Sequence, residues 1–568
     1  MLVIGRLLSL TGAPLPVSPW TPVAYLWQDV VTALGLALLD YIGRNNWIGW
    51  SAYGLAVGYT AINVGIVRVL YTPLTIPMIR ATGGPLADSI RYYLTFKNVG
   101  AIAATIAAGI LLPVVATKKI GLLHGATKYL LVGSFLIAAT GPYATSKIDT
   151  AGRYRNAFGA LWPVRVARAS NNPQNQKWRT SPFVATVNSR KDLQEYRGSA
   201  AGRNVVLILL ESTAARYWPV TPPAVDPMPN LTAFAAEGIT FQNAYAVYPE
   251  SIKGLLTVLC SKYPALNVLP DAYSAIPCAS LPQQLANAGY RTALFHSGRF
   301  MYLGMPAVIE RRGFEVLEDA GAIGGNVHSS FGVDDLSTVH RVLSWIDSLK
   351  RGERFFVTYL PVAGHHPYAT PEAGPFTATA GNEELARYLN ALHFGDRALG
   401  VLLDGLRARN LDRNTLYVIF GDHGEAFGQH DGNFGHTLFI YDENVHVPYL
   451  VVAPGLIREQ IRVREGMSLI DTEPSILDLL GLPIPAGLQG TSMLDPAPRM
   501  SLFFTDYSLS WLGLYDDCRK YLFQINAARS LLYDLCVDPN ETIDLSSRQP
   551  ERASAYRSLL ERWITSVQ

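Results

Sequence analysis

Charge is scarce in this chain. Only 16% of its 568 residues are Asp, Glu, Lys or Arg, while 49% are hydrophobic. That balance is too apolar for a protein soluble along its whole length. Neither sign is in excess, with 47 Lys and Arg against 45 Asp and Glu. This gives no nucleic-acid signature of the kind an overall basic balance would carry. Internal repeats and long low-complexity tracts are absent, which argues against solenoids and disordered tails. Cysteine is nearly missing: Cys260, Cys278, Cys518 and Cys536 all lie in the rear of the chain.

What is abundant at the front is long apolar sequence. Pro22 to Ile42, Trp47 to Leu70, Val99 to Ala116 and Tyr129 to Tyr143 follow one another with few charges. Most are near the ~20 residues that span a bilayer. The last is the shortest, and its helix could begin nearer Ile120. Buried helices of a soluble protein are the alternative, but four in succession favour a transmembrane helical domain over residues 1–145, with about four spans. The front is also too complex for a cleaved signal peptide. If Asn204 onward lies outside the cytoplasm, an even count puts the N-terminus outside too. Arg44 and the Lys118, Lys119, Lys128 group then fall in inner loops, as positive-inside bias requires. Arg68, Arg80, Arg91 and Lys97 count against this, and a fifth span or an interfacial helix between Tyr71 and Lys97 stays open.

Residues 146–203 read as a basic connector rich in Asn, Gln and Arg. Within it, Ala157 to Trp162 with Arg153, Arg155, Arg165 and Arg168 suits either an anionic membrane surface or a plain surface helix or linker. An extracytoplasmic compartment permits disulfides. Four cysteines allow three connectivities. Cys518 and Cys536 flank a hairpin-like stretch and pair naturally, which leaves Cys260 with Cys278; four buried free thiols are the other reading.

From Asn204 on, buried-strand runs alternate with amphipathic helices, the pattern of a sheet covered on both faces. Strands are expected at Val205–Leu210, Thr292–Phe295, Phe355–Leu360, Tyr417–Phe420 and Tyr449–Val452. Helices are expected at Leu231–Glu237, Leu281–Asn287, Val333–Leu349, Asn382–Ala408 and Thr472–Leu480. Leu502 to Thr505 and Arg519 to Phe523 suggest a final antiparallel section.

Several strands end in chemistry. Leu416 to Phe420 leads into Gly421-Asp422-His423-Gly424-Glu425-Ala426-Phe427-Gly428. An acid and an imidazole at a strand's carboxyl end stand where open α/β sheets place ligands, and together they can hold a divalent metal. A turn Asp beside a hydrogen-bonded His is the plain alternative. The run Asn204 to Leu210 delivers Glu211, a carboxylate that must stay exposed or meet a cation. Ser251 opens a helix over Ile252 to Leu259. There it is either an N-cap or a hydroxyl among free backbone N–H groups suited to a phosphate or sulfate. Lys253 is either an anion-stabilising group or a solvated helix lysine.

These residues, with Pro229-Asn230-Leu231, Gly364-His365-His366-Pro367, His436, Glu443 to Pro448, Asp471 to Gly481 and Leu532 to Glu541, resemble the alkaline phosphatase/sulfatase superfamily. The likeness covers about Asn204 to Leu545 and is nearest to the membrane-anchored branch of lipoteichoic acid synthases and phosphoethanolamine transferases. It implies an alkaline-phosphatase-like mixed α/β sheet with helices on both faces over residues 204–568. It further implies one divalent metal, manganese or zinc first and magnesium or calcium next, held by Glu211, Ser251, Asp422 and His423. Ser251 becomes the nucleophile where many relatives use Thr. His365 and His436 become the groups for proton transfer and substrate contact, with His366 as the alternative to His365. Sulfatases proper need a Cys or Ser followed by x-Pro/Ala-x-Arg for conversion to formylglycine; Ser251-Ile252-Lys253-Gly254-Leu255 has neither the Pro nor the Arg.

The resulting expectation is a phosphotransferase that moves a phospholipid head group, of phosphoglycerol or phosphoethanolamine type, through a covalent serine intermediate. A glycan or lipid hydroxyl is the acceptor, and no nucleic acid takes part. The enzyme would be a multi-pass protein of the bacterial cell membrane with its catalytic domain outside the cytoplasm. The alternative is a sulfatase-like phosphodiesterase or hydrolase of phosphate or sulfate esters.

Overall fold

The computed structural model describes residues 1–567 apart from 12–14, 43–45, 71, 76–78, 80–92, 118–126, 162–177, 184–190, 219–224, 269, 326, 330, 379–381 and 498. Arg44, Arg80, Arg91, Lys118, Lys119, Trp162, Arg165 and Arg168 lie outside the described residues, as does the Lys128 side chain.

Among the described residues five helices lead the chain: α1 (Leu2–Ser9), α2 (Thr21–Ile42), α3 (Asn46–Leu70), α4 (Phe96–Thr117) and α5 (Thr127–Lys147). Helix α2 packs along α5, and α3 along α4. Three of them hold stretches long and apolar enough to cross a membrane: Thr21–Leu39, Trp47–Leu70 and Phe96–Val115. Helix α5 covers the expected fourth stretch, but Thr140, Pro142, Thr145 and Lys147 dilute its second half, and it is not among them.

Behind these helices stands an eight-stranded sheet. Its strands are β1 (Asn204–Leu210), β2 (Gly238–Tyr245), β3 (Tyr290–His296), β4 (Val316–Glu318), β5 (Arg354–Leu360), β6 (Thr415–Gly421), β7 (His446–Val452) and β8 (Ile461–Ser468). They lie in the order β8-β2-β7-β6-β1-β5-β3-β4. Only β7 runs against the rest, antiparallel to both β6 and β2. The strand runs are apolar on both faces because both faces are covered. Val205, Leu207 and Leu209 of β1 enter one core with α7 (Ser251–Cys260), α8 (Leu281–Asn287) and α11 (Thr472–Leu479). Val206 and Ile208 enter the other with α9 (Asp335–Asp347) and α10 (Glu383–Ala408). The segment expected as one helix over Leu231–Glu237 is instead α6 (Pro229–Phe234) followed by a 3₁₀ turn, Ala235–Glu237. The last section is a four-stranded antiparallel sheet of β9 (Ser501–Thr505), β10 (Trp511–Asp516), β11 (Arg519–Gln524) and β12 (Arg529–Asp534), backed by α12 (Pro550–Ser566). Disulfides join Cys260 to Cys278 and Cys518 to Cys536.

The connector differs from the expected surface segment. Arg153 and Arg155 are 4% exposed. The Arg153 guanidinium donates to both Asp431 oxygens at 2.7 and 2.9 Å. Arg155 donates to the Ser508 carbonyl and hydroxyl. Arg6 of α1 pairs with Asp29 of α2 at 2.8 Å and donates to the carbonyls of Arg153 and Arg155. These arginines are buried because each guanidinium finds enough oxygens to replace water. Further on, Arg179 clamps Asp471 through two nitrogens and donates through Nε to the Met500 carbonyl at 2.8 Å.

Candidate active site

The parallel strands β1 and β6 run in register, with Leu210 opposite Gly421. Their carboxyl ends therefore release Glu211 and Asp422-His423 side by side. The approach needs a glycine, since a Cβ at Gly421 would lie 2.1 Å from the Thr213 carbonyl oxygen. Carboxylate oxygens of Glu211 and Asp422 and a ring nitrogen of His423 lie within 4.8 Å of one another, all three residues buried. Ser251, the first residue of α7, joins them: its hydroxyl donates to Glu211 Oε2 at 3.1 Å and stands 3.3 Å from His423 Nε2.

Ser251 is not the N-cap of its helix. Glu250 is, accepting from the Ile252 and Lys253 amides at 3.0 and 3.2 Å. This frees the Ser251 side chain from a capping role, and it also occupies two of the backbone amides expected to be open for an anion. Lys253 is not solvated either. It is 7% exposed, with Nζ 2.7 Å from Asp506 Oδ1 and 4.3 Å from the centroid of the Tyr248 ring.

Donor chemistry at the cluster fits a divalent cation. Neither Glu211 nor Asp422 has a lysine or arginine partner among the described residues, and each is within 3.6 Å of His423 Nε2. Burial pushes the Asp422 carboxyl up to about 7, the mark of an anion lacking its counter-charge. Burial and the neighbouring His436 push the His423 imidazole down to about 4. Its Nδ1–H donates to the Gly424 carbonyl at 3.0 Å, so Nε2 faces the carboxylates with its lone pair, as a ligand must.

His436 completes the group. Its ring lies 4.2 Å from that of His423, centroid to centroid. Its Nδ1–H donates to Glu425 Oε2 at 2.7 Å, and the Tyr368 hydroxyl donates to Glu425 Oε1 at 2.7 Å. Burial alone would lower the His436 imidazole, but the Glu425 carboxylate, with Glu211 and Asp422 behind it, carries it up to about 9. His365 stands apart. It packs on Phe331 at 4.1 Å between ring centroids and donates through Nδ1 to the His366 carbonyl at 2.7 Å. No hydrogen bond joins it to Ser251 among the described residues. His366 stacks on Tyr93, which approaches its Nε2 at 3.2 Å. Burial and His365 push His366 down to about 4.

The sequence motifs contain Glu425, Glu250 and Tyr368 without showing a task for them, and nothing local points to Asp506. An acid three places after Asp422, in a glycine-rich turn, was the available signal for Glu425.

Comparison with known proteins agrees with this geometry. The Sulfatase family model matches residues 203–482. Arylsulfatase K of Canis lupus familiaris is 26% identical over 242 residues, which is 38% of this chain and 44% of that protein. The chain thus spans less than half the length of this curated relative. Among solved structures, the lipoteichoic acid synthase LtaP from Listeria monocytogenes aligns with a TM-score of 0.52 at 18% identity, covering 67% of this chain and 95% of its own. A protein in the alkaline phosphatase superfamily from Vibrio parahaemolyticus aligns with a TM-score of 0.52 at 20% identity, covering 68% and 92%. With side chains compatible with a divalent metal gathered at adjacent strand ends, this chain has the fold of the alkaline phosphatase/sulfatase superfamily.

Proposed function

We propose that the chain is a metal-dependent hydrolase of phosphate or sulfate esters in which Ser251 is the nucleophile. One observation carries this reading: the Ser251 hydroxyl, released from capping by Glu250, stands within hydrogen-bond reach of both Glu211 and His423. Glu211, Asp422, His423 and Ser251 would hold the metal, manganese or zinc before magnesium or calcium. A divalent ion there supplies the charge that favours the serine alkoxide and offsets the ester's oxygens. Ser251 Oγ attacks the ester's central atom after passing its proton to Glu211 Oε2. The bond to the alcohol oxygen breaks, and His436, oriented through Nδ1 by Glu425, gives that oxygen a proton from Nε2. Water then attacks the same central atom and gives one proton to His436 Nε2, while the bond to Ser251 Oγ breaks and Glu211 returns its proton to the serine. His365 is the candidate for substrate contact at the rim.

Curated relatives bear sulfatase names, which favours hydrolysis. The stretch Ser251-Ile252-Lys253-Gly254-Leu255 lacks the formylglycine context, which favours phosphate esters with an unmodified serine. A second reading is supported by the three long apolar helices and the likeness to LtaP. In it, a phospholipid head group passes through Ser251 to a glycan or lipid hydroxyl. Residues 1–145 then lie in a bacterial cell membrane as a multi-pass domain, 146–203 connect, and 204–568 work outside the cytoplasm.

Peptide mass spectrometry separates these readings. Ser251 is expected unmodified at rest and phosphorylated, or joined to a head group, after incubation with substrate. Ser251→Ala should abolish labelling and turnover, and Ser251→Thr should keep part of both. Formylglycine at position 251 would make the enzyme a sulfatase proper. Full turnover by Ser251→Ala would turn attention to Ser212 and Thr257. Product that forms only with added acceptor would mark a transferase.

A further inference from the structure

A cavity of about 910 Å³ opens on the chain, and Glu211, Ser251, Asp422 and His423 take no part in its wall. It backs onto their loop instead. Glu443 lines it, and the next residue, Asn444, accepts the Gly424 amide at 2.8 Å. One side is the turn that follows Glu211, with Arg216 and Trp218; the other is the sheet edge, with Gln242, Asn243, Gln460 and Arg462. The volume is that of a small-ligand site.

Its charges are not balanced within the protein. The acids of the wall are already engaged. Asp442 meets Lys520 at 2.7 Å and His446 at 3.3 Å, and Glu443 meets His430 at 2.7 Å. The arginines are not. Among the described residues Arg462 donates only to Gln460 Oε1, at 3.1 Å, and Arg216 lies 5.9 Å from the centroid of the Tyr217 ring. Neither has a carboxylate partner among the described residues. An exposed guanidinium without a counter-ion is a ready fork for a carboxylate or sulfate. Trp218 has its N–H held by Thr232 Oγ1 at 2.9 Å, which fixes a flat apolar surface in a polar cavity. The Gln242 amide brings a donor and an acceptor, and Asn243, whose Nδ2 already donates to the Arg464 carbonyl at 2.6 Å, brings its oxygen. Anion forks, a fixed aromatic plate and paired donor–acceptor groups are together complementary to a polyhydroxylated ring that carries negative charge.

We infer that this cavity is a binding site for an acidic carbohydrate, separate from the metal cluster. The sugar ring lies against Trp218, its hydroxyls meet the amides, and its anionic groups pair with Arg216 and Arg462. This goes beyond the hydrolase reading and does not depend on it.

Calorimetric titration of the full chain carrying Ser251→Ala, in detergent, with a heparin tetrasaccharide tests it. One tetrasaccharide should bind per chain. Arg216→Ala and Arg462→Ala should each weaken binding by about tenfold, the loss of roughly one charge-assisted contact. Maltotetraose, with the same length and no charge, should bind more weakly by at least that factor. Trp218→Ala should also weaken binding; because it could disturb the turn, the two exposed arginines decide the matter. No binding of the heparin tetrasaccharide, or equal binding by the Arg216→Ala/Arg462→Ala double variant, overturns the inference. Binding lost in Glu211→Gln yet kept in the arginine variants would put the saccharide at the metal cluster, sinking this site while leaving the hydrolase reading intact. An unlabelled Ser251 with arginine-dependent binding would do the reverse.

Discussion

Lys253 decides between two kinds of role, and its replacement by Met tells them apart. It lies two residues from Ser251, where a cation would suit an anionic transition state. Its ammonium, however, is 2.7 Å from Asp506 Oδ1 in a pair whose side chains are 9% and 2% exposed. Removing one partner of such a pair strands the other charge and typically costs about 3–5 kcal/mol. Here Asp506 keeps two further donors, the Tyr248 hydroxyl and the Asn267 amide. The low end applies, about 3 kcal/mol, or roughly a 150-fold shift in the folding equilibrium. With a urea slope of a few kcal/mol per molar, the unfolding midpoint should fall by about 1 M. Tryptophan fluorescence of the full chain reads that midpoint, and turnover of a chromogenic ester in the absence of urea should stay near the parental rate. Lys253→Met with Asp506→Asn should regain part of the loss, since the stranded charge is gone. An unchanged midpoint together with a hundredfold slower turnover would refute the reasoning and make Lys253 a group that touches substrate.

Other expectations follow from the same geometry. Replacing Glu211, Asp422 or His423 by Ala should remove tightly bound metal, measured by elemental analysis after dialysis, whereas Glu425→Gln should keep the metal and slow turnover through a misaligned His436. Glu473 is fully buried with neither oxygen hydrogen-bonded among the described residues, and burial pushes its carboxyl up to about 9. A folded-state value above the unfolded one means that stability is whole below about pH 4.5 and falls as pH rises toward 9; Glu473→Gln should flatten that decline in thermal unfolding measured from pH 5 to 9. Reduction of Cys260–Cys278 and Cys518–Cys536, each closing a loop with a sequence separation of 18, should cost about 3 kcal/mol apiece; non-reducing peptide maps that find free thiols would contradict the pairing.

The sheet was legible because its central strands are buried on both faces and read as unbroken apolar runs. Glu211 and Asp422-His423 were legible because each directly follows such a run. What failed to show was whatever depends on a distant partner. His446 to Val452 carries no local sign that β7 runs against its neighbours. Arg153 and Arg155 look like surface residues until Asp431 and Ser508 arrive from hundreds of residues away. Lys253 looks solvated until Asp506 covers it. Glu425 in a glycine-rich turn has no task until the loop returns with His436. Even the helix start at Ser251 was misjudged by one residue, because Glu250 reaches over the serine to the next two amides.

The Arg179–Asp471 clamp bears on where this protein can be cut. Asp471 is 1% exposed, and a fragment starting at Asn204 would take away its guanidinium and leave it the Ser468 and Thr491 amides, at 3.2 and 2.8 Å. With two amide donors kept, the penalty falls at the low end, about 3 kcal/mol, still a large share of the stability of a marginal domain. A version without α1 to α5 for crystallisation or screening should therefore begin ahead of Trp178 and carry the short segment through Phe183 as part of the folded body rather than as a tail.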